Sequence, residues 1–189
     1  MQNQPAIKLL AATICLLIIT ACNKESKTSP CNGINYTITY TSTAAIGTAN
    51  NGSINITVPI GDTMTYRLNG SAASSFPYFT GLAAGNYVVT VINKRGCSDT
   101  VQITIPNYGP KYALVHELIK GYCGPCHLNG TVSGNKNFDT DASIVSSWDR
   151  IKARSVDGIP SFMPQNSALT SSDKIKITDW INAGHRQTD

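Results

Sequence analysis

The stretch Y-C-G-P-C-H-L-N-G, residues 122 to 130, decides how the second half of this chain folds. Two residues separate Cys123 from Cys126, and His127 follows directly. On one helical turn these positions are i, i+3 and i+4, so both sulfur atoms and the imidazole project from one face. Such a set serves two chemistries. The thiols can cycle between dithiol and disulfide, or the sulfurs and the imidazole can hold a metal-containing group.

A thiol-disulfide function is the first alternative, because C-G-P-C resembles the active site of thioredoxins. G-I-P-S-F, residues 158 to 162, resembles the cis-proline segment that faces the cysteines in that fold. That fold also needs a long helix after the cysteines and a strand hairpin after the proline. Here L-N-G-T-V-S-G-N-K-N follows the cysteines, and its glycines and asparagines are weak helix formers. Pro164 would interrupt the hairpin strand.

Residues 111 to 189 resemble small monohaem cytochrome c domains. In that family C-x-x-C-H is followed by a Gly/Asn-rich loop, a helix, an M-P pair and a closing helix. This chain has Met163 before Pro164, and the closing-helix pattern falls on Leu169, Ile177, Trp180, Ile181 and Gly184.

The resemblance implies one covalent haem c, bound by thioethers from Cys123 and Cys126. It implies that His127 and Met163 are the two iron ligands, with His116 and His185 as substitutes for Met163. A zinc site built from Cys123, Cys126 and a histidine is a third alternative, although it lacks a second ligand pair at close spacing.

The function expected from this resemblance is single-electron transfer to and from redox partner proteins, without enzymatic activity or a small-molecule substrate. Methionine as sixth ligand favours ferrous iron and raises the potential relative to a second histidine. A peroxidase-like or gas-sensing role becomes possible if Met163 does not bind iron.

Helical spacing predicts three helices and no strand in residues 111 to 189. The first covers residues 112 to 122, with Tyr122 on its apolar face and His116 on its exposed side. The second starts at Asp141 as N-cap. The third starts at Thr170 or Ser171 and stops at Gly184. We expect the porphyrin to fill the centre, with Trp148 and Trp180 around it.

Residues 34 to 105, within a predicted domain of residues 31 to 108, alternate apolar and polar side chains with a period of two, as in S-I-N-I-T-V at residues 53 to 58. Turn signals at Asn51-Gly52, Asn69-Gly70 and Arg95-Gly96 separate the strands. The pattern predicts an immunoglobulin-like β-sandwich. The complete fold prediction is therefore two domains, this all-β sandwich followed by an all-α cytochrome c-like domain.

Residues 81 to 105 resemble the last two strands of repeats in large bacterial gliding and surface adhesins. The shared features are Gly85, Tyr87 and the Gly96-Cys97 hairpin. The resemblance implies a spacer or adhesive module. A surface attachment protein is accordingly a rival function for the whole chain.

The first residues predict export and lipid anchoring. Residues 6 to 21 form an apolar run too short for a stable membrane span, and Ile19 to Cys22 resemble the lipobox of bacterial lipoproteins. We expect residues 1 to 21 to be a signal peptide, Cys22 to carry lipid and residues 22 to 30 to be a tether. Asn23 favours the outer membrane over the inner one. The expected location is the cell envelope, facing the periplasm or the outside.

The remaining cysteines predict a disulfide. We expect Cys15 to be removed with the signal peptide, Cys22 to carry lipid, and Cys123 and Cys126 to belong to the C-x-x-C-H motif. Cys31 and Cys97 then remain, and they can pair in an oxidising compartment. The formal net charge of +4 is spread thinly along the sequence. The sequence has no cluster of basic residues of the kind that indicates a nucleic-acid partner.

Overall fold

A computed structural model describes residues 31–165 and 168–189. Eight strands come first: β1 (Thr39–Thr43), β2 (Ala45–Ile46), β3 (Gly52–Val58), β4 (Met64–Leu68), β5 (Tyr78–Leu82), β6 (Gly85–Asn93), β7 (Ser98–Ile105) and β8 (Asn107–Tyr108). The strands contain the β-branched and aromatic residues that favour extended backbone.

These strands form three small sheets. Two are antiparallel and three-stranded, with the orders β1-β3-β5 and β4-β6-β7, and the third is the parallel pair β2-β8. The hairpin from β6 to β7 turns at Gly96, whose φ of 82° suits a residue without a side chain. The Arg95-Gly96 turn signal therefore marked a real hairpin.

The inward side chains of both three-stranded sheets belong to one hydrophobic cluster. Ile54 and Ile56 come from β3, Val89 and Val91 from β6, and all four are at most 1% exposed. Period-two patterning is explained by this burial, because alternate residues of a strand point to opposite faces.

The predicted disulfide between Cys31 and Cys97 is present. It joins residues 66 positions apart, with Cα atoms 5.2 Å from each other. Cys97 is almost completely buried, and its backbone N–H donates to Asn93 Oδ1. The bond therefore ties the start of the described chain to the β6–β7 hairpin.

The helical elements follow β8: α1 (Pro110–Leu118), the π-helical turn π1 (Ile119–Cys123), α2 (Gly124–His127), α3 (Asp141–Ser146), α4 (Trp148–Ile151), the π-helical turn π2 (Lys152–Asp157) and α5 (Ser171–Ala183). Pro110 occupies the first turn of α1, where a missing N–H costs nothing. The Thr140 hydroxyl caps α3, and the Thr170 hydroxyl caps α5. Gly184 follows the end of α5, as the sequence predicted.

A second hydrophobic cluster holds these helices together. Tyr112, Val115, Ile177 and Trp180 are at most 1% exposed in it. At the first turn of α1, a Cβ on Gly109 would overlap the backbone of Thr188. Glycine at this position therefore lets residues 187–189 pack against the start of α1.

The predicted fold class is wrong. The described residues are about 30% helical and 29% strand, in three small sheets and short helices, rather than a clear immunoglobulin-like sandwich and an all-α domain. One reason is that β8 pairs with β2, while its Tyr108 side chain packs against the helical cluster. Strand and helix are thus joined at the point where the prediction separated them.

A second reason is that the predicted long helices are broken. The first continues through π1 into the four-residue α2, and the second divides into α3, α4 and π2. Between α2 and α3 lies a long loop with a β-bridge between Ser133 and Lys136. Glycine and asparagine in this loop, at Gly130, Gly134, Asn129 and Asn135, take positive φ angles and cannot continue a helix.

The predicted signal peptide, the lipid site at Cys22 and the tether lie outside the described residues. None of the helices in residues 31–165 and 168–189 has the length and apolar character needed to cross a membrane.

Candidate functional site

His127 is held in one tautomer by the backbone of the following loop. Its Nδ1 lies 2.9 Å from the Lys136 carbonyl oxygen. A carbonyl can only accept, so Nδ1 carries the proton and Nε2 of the neutral ring keeps its lone pair. Metal-binding histidines commonly donate their second ring nitrogen in this way. Within the described chain, Nε2 has no hydrogen-bond partner.

The loop that supplies this carbonyl is organised around Asp139. Its carboxylate accepts hydrogen bonds from the backbone N–H groups of Asn129 and Gly130 and from the side chain of Asn137. The Asn137 bond, followed by the Gly130 bond, lowers the pKa of Asp139. Phe138 N–H donates to the His127 carbonyl at 2.7 Å, and the two rings lie 5.1 Å apart. Residues 129–139 thus form a support for the imidazole.

The C-x-x-C-H motif at residues 123 to 127 borders a cavity of about 440 Å³. Cys123, Cys126, His127 and Met163 all line it. The remaining lining residues are Tyr122, Pro125, Ser133, Gly134, Lys136, Phe138, Arg150, Ile151, Arg154, Ser155, Pro164 and Gln165. Cys126 is exposed, whereas Ile151 is 4% exposed, so the cavity extends from the surface to the helical core.

Both cysteines of the motif are free thiols. Cys123 is half-buried at the end of π1, and Cys126 lies on α2. Burial, and then the nearby Cys126 thiol, raise the pKa of Cys123 to about 11. A thiol with such a pKa is protonated at neutral pH and is a weak nucleophile.

Met163 reaches the cavity from a segment that follows π2. Its backbone N–H donates to the Arg154 carbonyl at 2.8 Å. The side chain is half-buried in the cavity wall. The two residues that the sequence paired across 36 positions, His127 and Met163, therefore border the same space.

His116 is in a different environment from the one predicted. Its side chain is only 15% exposed, and Nε2 lies 3.3 Å from the Tyr108 hydroxyl. Tyr108 and Tyr112 both donate to Asp141 Oδ1 at 2.8 Å. Burial, followed by Asp141, raises the pKa of both tyrosines, and burial lowers that of His116. The histidine belongs to this polar network and does not line the cavity.

His185 is also away from the cavity. Its ring stacks on Trp148, with centroids 4.6 Å apart. Trp180 donates from Nε1 to the Arg186 carbonyl and packs 5.8 Å from Tyr112. Neither tryptophan is among the described residues that line the cavity.

Three basic residues in the cavity wall were not among the predicted site residues: Lys136, Arg150 and Arg154. Arg150 and Arg154 are four positions apart, a spacing that places side chains on one helical face. This spacing was readable in the sequence. That the two arginines lie beside the cysteines could not be read from the sequence, because it depends on how α4 and π2 pack.

No protein-family model matches this chain, and no curated protein is significantly similar to it. Residues 31–165 and 168–189 contain no group of three or more His, Cys, Asp or Glu side chains that could hold a metal ion. The donors around the cavity are of another kind, namely two thiols, one imidazole and one thioether.

Proposed function

We propose that the protein is a c-type cytochrome that carries single electrons, with one covalent haem in the cavity between α2 and π2. The observation that supports this most directly is the convergence of Cys123, Cys126, His127 and Met163 on one cavity. Haem supplies an iron centre that accepts and releases one electron at a time.

The residues present fit such a group. Cys123 and Cys126 would form the thioethers, and His127 Nε2 and the Met163 sulfur would be the two iron ligands. The hydrogen bond from His127 Nδ1 to the Lys136 carbonyl orients the ring and makes Nε2 a more basic metal ligand. Phe138 and Ile151 provide apolar walls that limit the access of water to this space.

The position of the cavity favours electron transfer over substrate turnover. One edge reaches the surface at the exposed Cys126, so an electron could leave without passing through the hydrophobic core. Iron held by both His127 and Met163 would have no position open to a small molecule. These residues therefore hold, orient and shield the group and need no acid-base chemistry.

Thiol-disulfide exchange through Cys123 and Cys126 is the second candidate, because both thiols are free and near one another. The raised pKa of Cys123 opposes it, since attacking thiols of this type usually have lowered pKa values. The cavity wall also does not include Pro160, the residue that would correspond to the thioredoxin proline. Surface attachment through the strand region is the third candidate, and envelope anchoring through Cys22 is compatible with all three.

A haem stain tests the proposal directly. The full chain is expressed in a host equipped for cytochrome c maturation, separated under denaturing conditions and stained for haem. We expect a stained band and a peptide mass showing haem attached to both cysteines. The matched control, Cys31→Ser/Cys97→Ser, removes two other cysteines and should keep the stain, whereas Cys123→Ser/Cys126→Ser should lose it. Colourless wild-type protein with two alkylatable thiols would exclude the proposal.

A further inference from the structure

The cavity wall carries an unbalanced positive charge. Arg150 is exposed at the end of α4, and Arg154 is half-buried in π2. Within the described residues, neither guanidinium makes a salt bridge or a side-chain hydrogen bond. Lys136 Nζ donates only to the neutral Ser147 hydroxyl, at 3.2 Å.

Nearby carboxylates do not neutralise this charge. Among the described residues, no Asp or Glu lines the cavity. Asp157 is paired with Lys152 at 2.7 Å, and Asp149 accepts the backbone N–H of Arg150. Arg154 and Lys136 are partly buried, and a partly buried cation without a counter-charge is unfavourable. With the exposed Arg150 beside them, these side chains suit an anionic occupant.

We propose that Arg150 and Arg154, assisted by Lys136, bind the carboxylates of the cofactor in this cavity. The inference rests on the proposed function, because haem carries two propionate groups on the edge away from its thioether-forming positions. The cysteines lie on π1 and α2, whereas the arginines lie on α4 and π2. The wall that carries the cysteines and the wall that carries the arginines would thus hold different edges of the haem. Planar guanidinium groups suit carboxylates because they can donate two parallel hydrogen bonds.

This assignment has a consequence for the redox potential. Adjacent cations favour the ionised carboxylate and lower its pKa. Protonation of a carboxylate raises the potential, because it removes a negative charge that stabilises ferric iron. The three cations therefore lower the pH range over which the midpoint potential changes. The other titratable groups in the wall are Cys123, Cys126 and His127, which are bound in the proposed state, and Tyr122.

The test is the midpoint potential measured between pH 4 and pH 9. In Arg150→Gln/Arg154→Gln, we expect the apparent pKa of the pH-dependent region to rise by about one unit or more. Lys152→Gln is a control, since it removes one positive charge from π2 outside the cavity wall, and it should leave that region unchanged. Tyr122→Phe should also leave it unchanged. Arg150→Lys/Arg154→Lys keeps both charges and should retain most of the wild-type behaviour.

The outcomes separate this inference from the proposed function. A double glutamine variant that carries covalent haem and has the wild-type pH dependence would overturn the arginine assignment. Weaker electron exchange with an acidic partner, at an unchanged pH dependence, would also overturn it, because the arginines would then be a docking surface. Wild-type protein without covalent haem would instead refute the proposed function. If the double variant does not attach haem, Arg150→Gln and Arg154→Gln are measured singly, and wild-type curves for both would overturn the assignment.

Discussion

At the residue scale, a single hydrogen bond determines which atom of His127 is available to a metal. The Lys136 carbonyl accepts a hydrogen bond from Nδ1, and this leaves the lone pair of Nε2 available to bind a metal. The two partners are nine positions apart, and Asp139 stabilises the intervening loop by accepting hydrogen bonds from the backbone N–H groups of Asn129 and Gly130. The availability of His127 Nε2 therefore depends on loop residues, such as Asp139, that are not themselves proposed as iron ligands.

Replacement of Met163 should expose the iron. In Met163→Ala, we expect a lower midpoint potential, because the soft sulfur ligand that favours ferrous iron is lost. We also expect carbon monoxide binding to the reduced protein, which the wild type should resist. Absorption spectra with and without carbon monoxide show whether the reduced protein binds it. His185→Ala serves as the control and should behave as wild type; a Met163→Ala spectrum identical to that of the wild type would rule out this ligand.

Asp139 should contribute stability that depends on pH. Its pKa is lower in the folded state than in the unfolded chain, so its contribution is present above about pH 4 and is lost as the pH falls further. In Asp139→Asn, we expect a lower melting temperature at pH 7 and a smaller difference from wild type at pH 3. Asp179→Asn on the exposed side of α5 is the control. An equal effect of both substitutions at pH 7 would contradict this role.

At the element scale, the two π-helical turns are the departures from regular helix that shape the cavity. Cys123 ends π1, and Arg154 and Ser155 lie in π2. A π-helical turn contains an extra residue relative to an α-helical turn, and such turns occur frequently at functional sites. Gly158 ends π2 in the left-handed conformation, and a Cβ there would meet the Phe162 ring.

The cap of α5 can be tested independently of any cofactor. Thr170 Oγ1 accepts the Asp173 N–H at 3.1 Å and donates to the Asp173 carboxylate at 2.8 Å. Thr170→Ala should lower the free energy of unfolding by about 1 kcal/mol, as for other N-cap residues. Denaturant unfolding measures the loss. Ser172→Ala, an exposed position in the same first turn, should change stability much less; similar losses in both variants would show that the cap has no special role.

At the scale of the whole molecule, residues 31–165 and 168–189 form two hydrophobic clusters connected through β8. One cluster contains buried residues from Ala45 to Ile105, and the other from Tyr112 to Trp180. Tyr108 lies between them, with its backbone paired to Ile46 and its hydroxyl bonded to Asp141. The division into residues 31–108 and 111–189 remains a prediction that unfolding experiments can examine.

Loss of the disulfide should affect the two clusters unequally. Removing a bond across 66 residues should cost about 4 kcal/mol by the chain-entropy relation. Cys31→Ser/Cys97→Ser should therefore lower the unfolding transition of the strand region, while the helical region keeps its own transition. Calorimetry can resolve the two. A uniform shift of one single transition would contradict the separation into two cooperative units.

Several features were predictable because they depend on local sequence. Period-two alternation located strands such as β3 and β6, and the cap at Thr170 and the stop at Gly184 bounded α5. The Cys31–Cys97 pair could be inferred from the number and positions of the cysteines. Local rules failed for the helices around residues 119–123 and 152–157, since apolar spacing does not distinguish α from π-helical turns.

The sequence by itself determined which side chains are chemically equipped for a site: Cys123, Cys126, His127 and Met163. Only the tertiary structure decided that these four border one cavity, that Arg150 and Arg154 lie in its wall, and that His116 and His185 pack elsewhere. The physical reason is that residue type and spacing act over one or two helical turns. The contents of a cavity depend instead on the packing of elements far apart in the chain.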